Sequence, residues 1–175
     1  MPSSLLLTSF DIWKTHHTSN ASDDLLKELL LRNIVGEPIQ LLRKLPVDFE
    51  LAPKQVIAAM ERLQPRLLVC CGMAERRSYL CVESNGKFEN ETIYTSVDVR
   101  KLVQGLLFTR VSHNAGGFVC NHTYYSVLKY IQTTQVATHC IFVHVPCINS
   151  ENCAAIVADF STILTRLQAS HAHTR

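Results

Sequence analysis

A chain of 175 residues, 47% of them hydrophobic, is long enough to bury one hydrophobic core, and we expect residues 1–175 to form a single domain. The net charge of +2 without a long basic run gives no reason to expect binding to nucleic acid or to a membrane surface. No apolar stretch reaches the length of a membrane span, and the first residues lack the pattern of a secretion signal. The seven cysteines are an odd number, which predicts reduced thiols and a cytoplasmic location rather than a set of disulfides.

The first half of the chain alternates buried strands with helical patterns. The apolar run 4–9 predicts a first strand, and the loop 10–18 that follows it carries two large aromatic residues. Ser22 is a suitable N-cap for a first helix, and Pro53 suits the start of a second. Further apolar segments predict strands at 39–45, 66–71 and 78–83.

The second half continues this alternation after a polar interruption. Residues 84–95 are polar and predict a loop, and the small residues 114–117 predict a sharp turn. The other predicted elements are a helix at 99–107, a strand ending at 112, a helix from Asn121, a strand at 140–145 and a last helix at 152–169.

Strands that alternate with helices predict an α/β protein, a three-layer α/β/α sandwich whose central sheet is mixed but mostly parallel. Ligands of such sheets bind outside the carboxyl ends of the strands. Glu83, the turn before Cys120, and His144 all fall at or near the ends of predicted strands. We therefore group these three residues as candidates for one site.

Cys120 lies where the segment 112–121 predicts a strand end, a turn and the start of a helix. The partial positive charge at a helix N-terminus favours the thiolate form of a cysteine. Cys120 is therefore a candidate nucleophile. The alternative is that it is one more buried structural cysteine.

A nucleophilic thiol needs a base, and the base needs a third group that fixes its tautomer. His144, in an apolar strand, is the candidate base, and Glu83, at the end of another strand, is the candidate orienting carboxylate. The alternatives are a hydrogen-bonded core histidine and the first residue of a surface loop. Spacing along the chain leaves open whether the three side chains meet.

With these motifs the chain resembles the pyroglutamyl peptidase I family, cysteine peptidases that remove N-terminal pyroglutamate. Residues 112–121 match the family's Ser-x-x-Ala-Gly-x-Tyr-x-Cys-Asn motif, and residues 142–146 match its Phe-Ile-His-Val-Pro. The resemblance extends over most of the chain in the family's order. It includes the family's Thr-Gly-Phe at 8–10, its Asn-Pro-Ser at 20–22 and its Gly-Gln-Ala-Gly-Gly-Arg turn at 72–77.

The resemblance implies a phosphorylase/hydrolase-like fold and a cysteine exopeptidase with a triad of Cys120, His144 and Glu83. It also implies a pocket for the pyroglutamyl lactam, a flat uncharged ring that suits aromatic walls and a few backbone hydrogen bonds. The implied substrate-binding residues are Phe10, Trp13, Asn20, Met73 and Val119. Ordinary loop packing is the alternative for the two aromatic residues.

Several positions depart from the family pattern. Lys14 and Thr15 replace one pair of glycines, and Glu75 and Arg76 replace another. The segment after Glu83 is shorter than the family's and lacks an asparagine and an arginine that lie near its active site. Losing one oxyanion donor can reduce the rate by roughly 10²–10³. A second hypothesis is therefore a homologue that binds a lactam or peptide N-terminus and turns it over weakly or not at all. A scaffold that keeps only the fold explains the cysteine and histidine motifs poorly.

We expect no metal and no cofactor. His16 and His17 lie in the aromatic loop, but the sequence has no Cys-x-x-Cys or His-x-x-x-His pair that predicts a compact set of metal ligands. The expected partner is a peptide with N-terminal pyroglutamate. Homo-oligomers occur in the family that the chain resembles, which leaves the assembly state of this chain open.

Overall fold

The secondary structure alternates strands and helices along most of the chain. The structure is a computed structural model that describes residues 5–33 and 39–171. Its strands are β1 (Leu5–Phe10), β2 (Ile39–Leu45), β3 (Leu67–Met73), β4 (Leu80–Glu83), β5 (Asn85–Phe88), β6 (Glu91–Tyr94), β7 (Thr109–Ser112) and β8 (His139–Val145). Its helices are α1 (Ala21–Leu31), α2 (Leu51–Leu63), α3 (Val99–Val103), α4 (Val119–Thr134) and α5 (Cys153–His171).

Six strands form one mixed sheet in the order β2-β1-β3-β8-β4-β7. The first four strands of this order are mutually parallel, β4 is antiparallel to β8, and β7 is parallel to β4. The mostly parallel mixed sheet confirms the fold class expected from the sequence. Where β4 meets β8, Cys81 lies opposite His144 and Glu83 lies opposite Phe142.

Side chains alternate between the two faces of this sheet, so strands β1, β2, β3 and β8 each contribute to two cores. One core lies between the sheet and helices α1, α3 and α5, and it contains Leu7, Val69 and Val143. The other lies between the sheet and helices α2 and α4, and it contains Leu6 and Phe142. The sheet is therefore the middle of three layers, as predicted.

This alternation also decides the face on which the candidate residues lie. Val143 and Val145 belong to the α1 and α5 side, so His144 lies on the α4 side together with Phe142. Val82 packs on the α1 and α5 side, which places Glu83 on the α4 side as well. The base and the carboxylate are thus brought to the helix that carries Cys120.

The largest difference from the sequence prediction lies at 84–95, which we expected to be a loop. The segment forms a hairpin of β5 and β6, with a tight turn in which Glu89 has a φ of 50°. Asn121 joins this hairpin to α4, because its side chain accepts a hydrogen bond from the Lys87 N–H and donates one to the Lys87 carbonyl. Gly86 allows the close approach, since a Cβ there would lie 2.7 Å from the Tyr125 backbone. The two strands are four residues long and mostly polar. Because they contain no apolar run, the sequence pattern did not predict them.

Smaller corrections concern the boundaries of the helices. The N-cap of α1 is Asn20 rather than Ser22, because the Asn20 side chain accepts a hydrogen bond from the Ser22 N–H. Helix α3 ends at Val103, before Gly105 with its φ of 75°, whereas the pattern predicted helix to 107. Strand β2 has the predicted bounds, and the predicted start of β1 at Ser4 lies outside the described residues. Among the described helices, none has both the length and the hydropathy that a bilayer crossing requires.

Candidate active site

A cavity of about 620 Å³ opens where four segments of the chain approach one another. These segments are the loop after β1, the loop between β2 and α2, the loop between β3 and β4, and the N-terminal end of α4 with the turn before it. Cys120 and His144 both border the cavity. The size suits a small ligand or the end of a peptide.

Cys120 is the second residue of α4, where the first backbone N–H groups of the helix have no partner within the helix. Its Sγ lies 3.6 Å from His144 Nε2. Gly72 in β3 makes this position accessible, because a Cβ there would lie 2.9 Å from the Cys120 Cβ and 3.0 Å from the Phe142 ring. The helix start and the strand therefore meet at a point that only glycine permits.

His144 connects the thiol to a buried carboxylate. Its Nδ1 lies 2.8 Å from Glu83 Oε1, and Glu83 is completely shielded from solvent. A hydrogen bond from Nδ1 to the carboxylate leaves Nε2 free to accept a proton from the thiol. The three side chains that sequence spacing could not bring together thus form one chain of contacts.

Arg77 is a further member of this cluster. Its guanidinium donates a 2.7 Å hydrogen bond to Glu83 Oε1 and a 2.9 Å hydrogen bond to the carbonyl of Asn114, in the turn before α4. A single arginine therefore fixes both the carboxylate and the loop that leads to the nucleophile. The guanidinium also places a positive charge beside the cavity, which it helps to line.

The protonation states of the cluster follow from burial and from these contacts. Burial raises the pKa of the Cys120 thiol to about 11, although the N–H groups of Cys120 and Asn121 act in the opposite direction. Burial also lowers the pKa of His144, against the influence of Glu83. For Glu83, burial acts to raise the pKa, but His144, Ser112 and Arg77 together bring it below the ordinary value of 4.5. At neutral pH the cluster consists of a thiol, a neutral imidazole and a carboxylate.

The effect of the helix N-terminus on Cys120 is therefore smaller than the sequence predicted. We expected the helix to favour the thiolate, and its N–H groups do lower the pKa. Removal from water outweighs them because a charged sulfur loses more hydration than two N–H groups restore. Depth in the fold was not visible in the sequence.

The five residues expected to bind substrate all line the same cavity. Phe10 and Val119 are buried in its wall, whereas Trp13 is 41% exposed at its edge. Asn20 braces the loop after β1 through a 2.9 Å hydrogen bond to the Asp11 carbonyl. Met73 lies at the end of β3, where its sulfur accepts a hydrogen bond from the N–H of Ala21.

The rim of the cavity contains residues that depart from the family pattern. Lys14 Nζ lies 2.5 Å from Glu75 Oε2, which joins the loop after β1 to the loop between β3 and β4. His16 and His17 face the other oxygen of the same carboxylate. Hydrogen bonds from Lys14 and His17 lower the pKa of Glu75 to about 2, so the carboxylate is charged at neutral pH. The sequence has no local pair that indicates this cluster, because its residues come from distant parts of the chain and meet only in the fold.

Three residues of the site were missing from the sequence-based set: Gly72, Arg77 and Phe118. Gly72 and Arg77 begin and end the turn motif at 72–77, and this motif was a usable signal for both. Phe118 is 63% exposed, lines the cavity and lies 5.6 Å from the Trp13 ring, measured between ring centroids. It occupies the aromatic position of the cysteine motif, which was the only signal for it.

Glu83 ends its strand, as predicted, but at a different edge of the sheet from the one expected. Because β4 runs antiparallel to β8, the end of β4 lies opposite Phe142 and not at the carboxyl edge of the parallel strands. Glu83 reaches His144 as a diagonal neighbour across an antiparallel pair, on the same face of the sheet. The structure thus brings Glu83 and His144 together, but not through the carboxyl edge that the sequence predicted.

Comparisons with known proteins agree with this fold and this site. The family model described as pyroglutamyl peptidase matches residues 89–164. The pyrrolidone-carboxylate peptidase of Klebsiella pneumoniae (strain 342) is 30% identical over 168 residues, covering 81% of this chain and 77% of that protein. The corresponding protein of Gloeobacter violaceus is 28% identical over 169 residues, covering 81% and 80%.

Solved structures of similar fold carry the same names. The pyrrolidone carboxyl peptidase from Thermococcus litoralis superposes with a TM-score of 0.81 at 15% identity, covering 99% of this chain and 96% of that one. Pyroglutamyl peptidase I from Bacillus amyloliquefaciens gives a TM-score of 0.77 at 21% identity, covering 92% and 94%. At these identities the solved structures establish the fold class, an α/β sandwich. Together with the identity to the Klebsiella protein, they lead to one conclusion: the chain belongs to the pyroglutamyl peptidase family.

Proposed function

We propose that this protein is a cysteine exopeptidase that removes pyroglutamate from the N-terminus of peptides. The observation that carries the proposal is the continuous contact from Cys120 Sγ through the His144 ring to Glu83 Oε1, at 3.6 and 2.8 Å. A thiol, an imidazole and a carboxylate in this order are the groups that acyl transfer requires. Membership of the family gives the substrate class.

In the proposed reaction, Cys120 Sγ attacks the pyroglutamyl carbonyl carbon while its proton moves to His144 Nε2. The negative charge that develops on the carbonyl oxygen is stabilised by backbone N–H groups at the start of α4, including that of Cys120. The C–N bond then breaks as His144 returns the proton to the departing amine. Water, activated by the same imidazole, hydrolyses the acyl-enzyme. Glu83 stabilises the imidazolium in both steps.

The cavity suits the lactam ring of the substrate. Phe10 and Val119 offer apolar surface beside Cys120, and Trp13 and Phe118 form an aromatic edge. A pyroglutamyl group carries no charge and exposes one flat ring, so its burial against these side chains is favourable. The rest of the peptide would leave the cavity past the rim.

A second candidate function is binding of a lactam or peptide N-terminus with little turnover. What favours it is the enclosure of the Cys120 thiol by the protein, which raises its pKa to about 11 and keeps it protonated and less nucleophilic at neutral pH. The hairpin β5–β6 also takes the place of the family's longer segment, which carries an asparagine and an arginine. In this case Cys120 would form part of the binding surface only.

Release of a fluorescent amine from a pyroglutamyl amide, under reducing conditions, tests the first function. We expect turnover by the unmodified protein and no detectable turnover by Cys120→Ala, with the same circular dichroism spectrum for both. Cys147→Ala removes an exposed thiol and is the matched control. A glutaminyl amide, which has an open chain in place of the lactam, should be a poor substrate.

Calorimetric titration with a pyroglutamyl peptide separates the two functions. Binding without hydrolysis by the folded unmodified protein would establish the second function instead of the first. Hydrolysis by Cys120→Ala at the unmodified rate would contradict the proposed nucleophile. A reducing compartment suits the proposal, because the thiol of Cys120 must remain unoxidised.

A further inference from the structure

Three potential metal ligands from two separate loops converge at the rim of the cavity. One ring nitrogen each from His16 and His17 and one carboxylate oxygen of Glu75 all lie within 4.8 Å of one another. His16 Nε2 is 3.4 Å from Glu75 Oε1, and His17 Nε2 is hydrogen-bonded to the same oxygen. We propose that these three residues form a binding site for a divalent transition-metal ion of the Zn²⁺ class.

The donor set fits this class of ion. Two imidazole nitrogens and one carboxylate oxygen, with water as a fourth ligand, form a common tetrahedral Zn²⁺ site. Zn–N and Zn–O bonds of about 2.0–2.2 Å place the ligand atoms roughly 3.3 Å apart. The 3.4 Å separation between His16 and Glu75 already has this value. His17 Nε2 and Glu75 Oε1 are in direct hydrogen-bond contact, so the two side chains must move apart to admit an ion between them.

The fold holds two of the three ligands and leaves the third adjustable. The side chain of His17 is only 9% exposed and packs edge-on against Trp13, with the ring centroids 5.9 Å apart. Glu75 is fixed by Lys14 through its other oxygen. His16 is 67% exposed, so its ring can rotate to complete the site without disturbing the core. The three ligand groups therefore lie close together before an ion arrives.

Lys14 limits the affinity of this site. Its ammonium group occupies Glu75 Oε2 at 2.5 Å and would repel a cation bound at Oε1. Removing the ammonium while keeping the carboxylate should therefore strengthen metal binding. An increase in metal affinity in such a variant is expected only if the metal binds at Glu75. Loss of an ion pair with no metal site beside it would leave the metal affinity unchanged.

His17 also limits the affinity of this site for a metal ion. Its Nδ1 is buried and has no hydrogen-bond partner among the residues that the structure describes. Metal-binding histidines usually donate the other ring N–H to an acceptor, and losing such a partner costs about 10–100-fold in affinity. We therefore expect a dissociation constant on the order of micromolar, weaker than structural zinc sites. An ion bound here would tie together the two loops that border the cavity.

Calorimetry with Zn²⁺ and visible spectroscopy with Co²⁺ test the proposal in a Cys120→Ser background, which removes the cavity thiol as a competing ligand. Both titrations are made at about pH 7.5. We expect one site, with Co²⁺ bands of a tetrahedral N/O complex. His16→Ala and Glu75→Gln should each weaken binding at least about tenfold. Lys14→Gln should tighten it about threefold or more.

His122→Ala is the matched control, since it removes a histidine outside the cluster and should leave the affinity unchanged. Equal affinity in the parent, His16→Ala and Glu75→Gln would overturn the proposal by placing the ion elsewhere, as would the absence of binding up to about 1 mM Zn²⁺. His16→Ala and Glu75→Gln alter different loops, so a folding defect in one still leaves the other as a test. No readout depends on hydrolysis, so failure here is distinguishable from failure of the proposed function.

Discussion

The floor and the rim of the candidate active site are held in different ways. The floor consists of Glu83 and His144, which are buried on adjacent strands of the central sheet, and of Cys120 at the start of a packed helix. The rim consists of partly exposed side chains on two loops, joined by the contact between Lys14 and Glu75. The sheet register therefore positions the reacting groups, whereas loop side chains control what reaches them.

The two regions also differ in how closely they follow the family pattern. The cysteine and histidine motifs of the floor are retained, and the replaced glycines lie at the rim. Lys14 replaces one of these glycines and Glu75 another, and the two side chains form an ion pair 61 positions apart in the sequence. Each of the two replacements thus supplies the charged partner of the other.

Removing the charge of Glu83 should have the largest effect of the substitutions that follow. Glu83→Gln no longer stabilises the His144 imidazolium, and we expect kcat for a pyroglutamyl amide to fall at least about 10³-fold. The buried hydrogen bonds to His144 and Arg77 also weaken, so the free energy of unfolding should decrease by about 2 kcal/mol. Steady-state kinetics and urea denaturation measure the two quantities. Glu75→Gln, the matched rim variant, should lose less than about tenfold in kcat/KM.

The stability effect of Glu83 should also depend on pH. Its folded-state pKa lies below the ordinary 4.5, so its contribution is complete above 4.5 and is lost as the pH falls through the folded value. The difference in stability between the unmodified protein and Glu83→Gln should therefore shrink below pH 4.5. A difference that stays constant down to about pH 3 would contradict the contribution of the charged carboxylate.

The pH profile of kcat/KM should show a wide plateau. His144 must be neutral to accept the thiol proton, and burial lowers its pKa, so the acid limb should lie below pH 6.5 with a slope of about tenfold per pH unit. The alkaline limb should lie near pH 11, where Cys120 ionises without transferring a proton to His144. An alkaline limb near pH 8.5 would mean that Cys120 has the pKa of an ordinary thiol. Glu75→Gln should show the same limbs, because the rim does not take part in proton transfer.

Crowding the contact between β3 and α4 should have a smaller effect. In Gly72→Ala the added Cβ lies 2.9 Å from the Cys120 Cβ, so the helix start must shift. We expect a loss of about 1–3 kcal/mol in stability, and a fall of about 10–100-fold in kcat as the distance between Cys120 and His144 increases. Gly117→Ala is the control, because a Cβ there has no neighbour within 4 Å. Equal effects of the two substitutions would contradict the proposed role of Gly72.

The smallest effect should come from the ion pair at the rim. Lys14→Gln removes a partly exposed contact, and we expect kcat to change less than about threefold and KM less than about tenfold. Initial rates at several salt concentrations provide a check, because screening of the pair should bring the KM values of the two proteins together. A large loss in kcat would show that the rim takes part in the reaction.

Much of the fold was predictable because apolar periodicity records local burial. The strand at 39–45 and the long helices formed where the pattern indicated them. The hairpin at 85–94 was missed because its short strands are stabilised by contacts with α4, including the Asn121 side chain, and not by an apolar run of their own. The effect of partial burial on the Cys120 thiol was missed for a related reason, since its surroundings include Gly72 in another strand.

The sequence by itself determined most of the order of the elements, the positions of Glu83 and His144 in or at the end of strands, and the motifs that indicate the family. These features depend on neighbours within a few residues, where strand and helix periodicity act. Only the tertiary structure decided the antiparallel pairing of β4 with β8, the closeness of the thiol to the imidazole, and the meeting of Lys14, His16 and His17 with Glu75. These features depend on packing between segments far apart in the chain, which leaves no periodic trace in either segment.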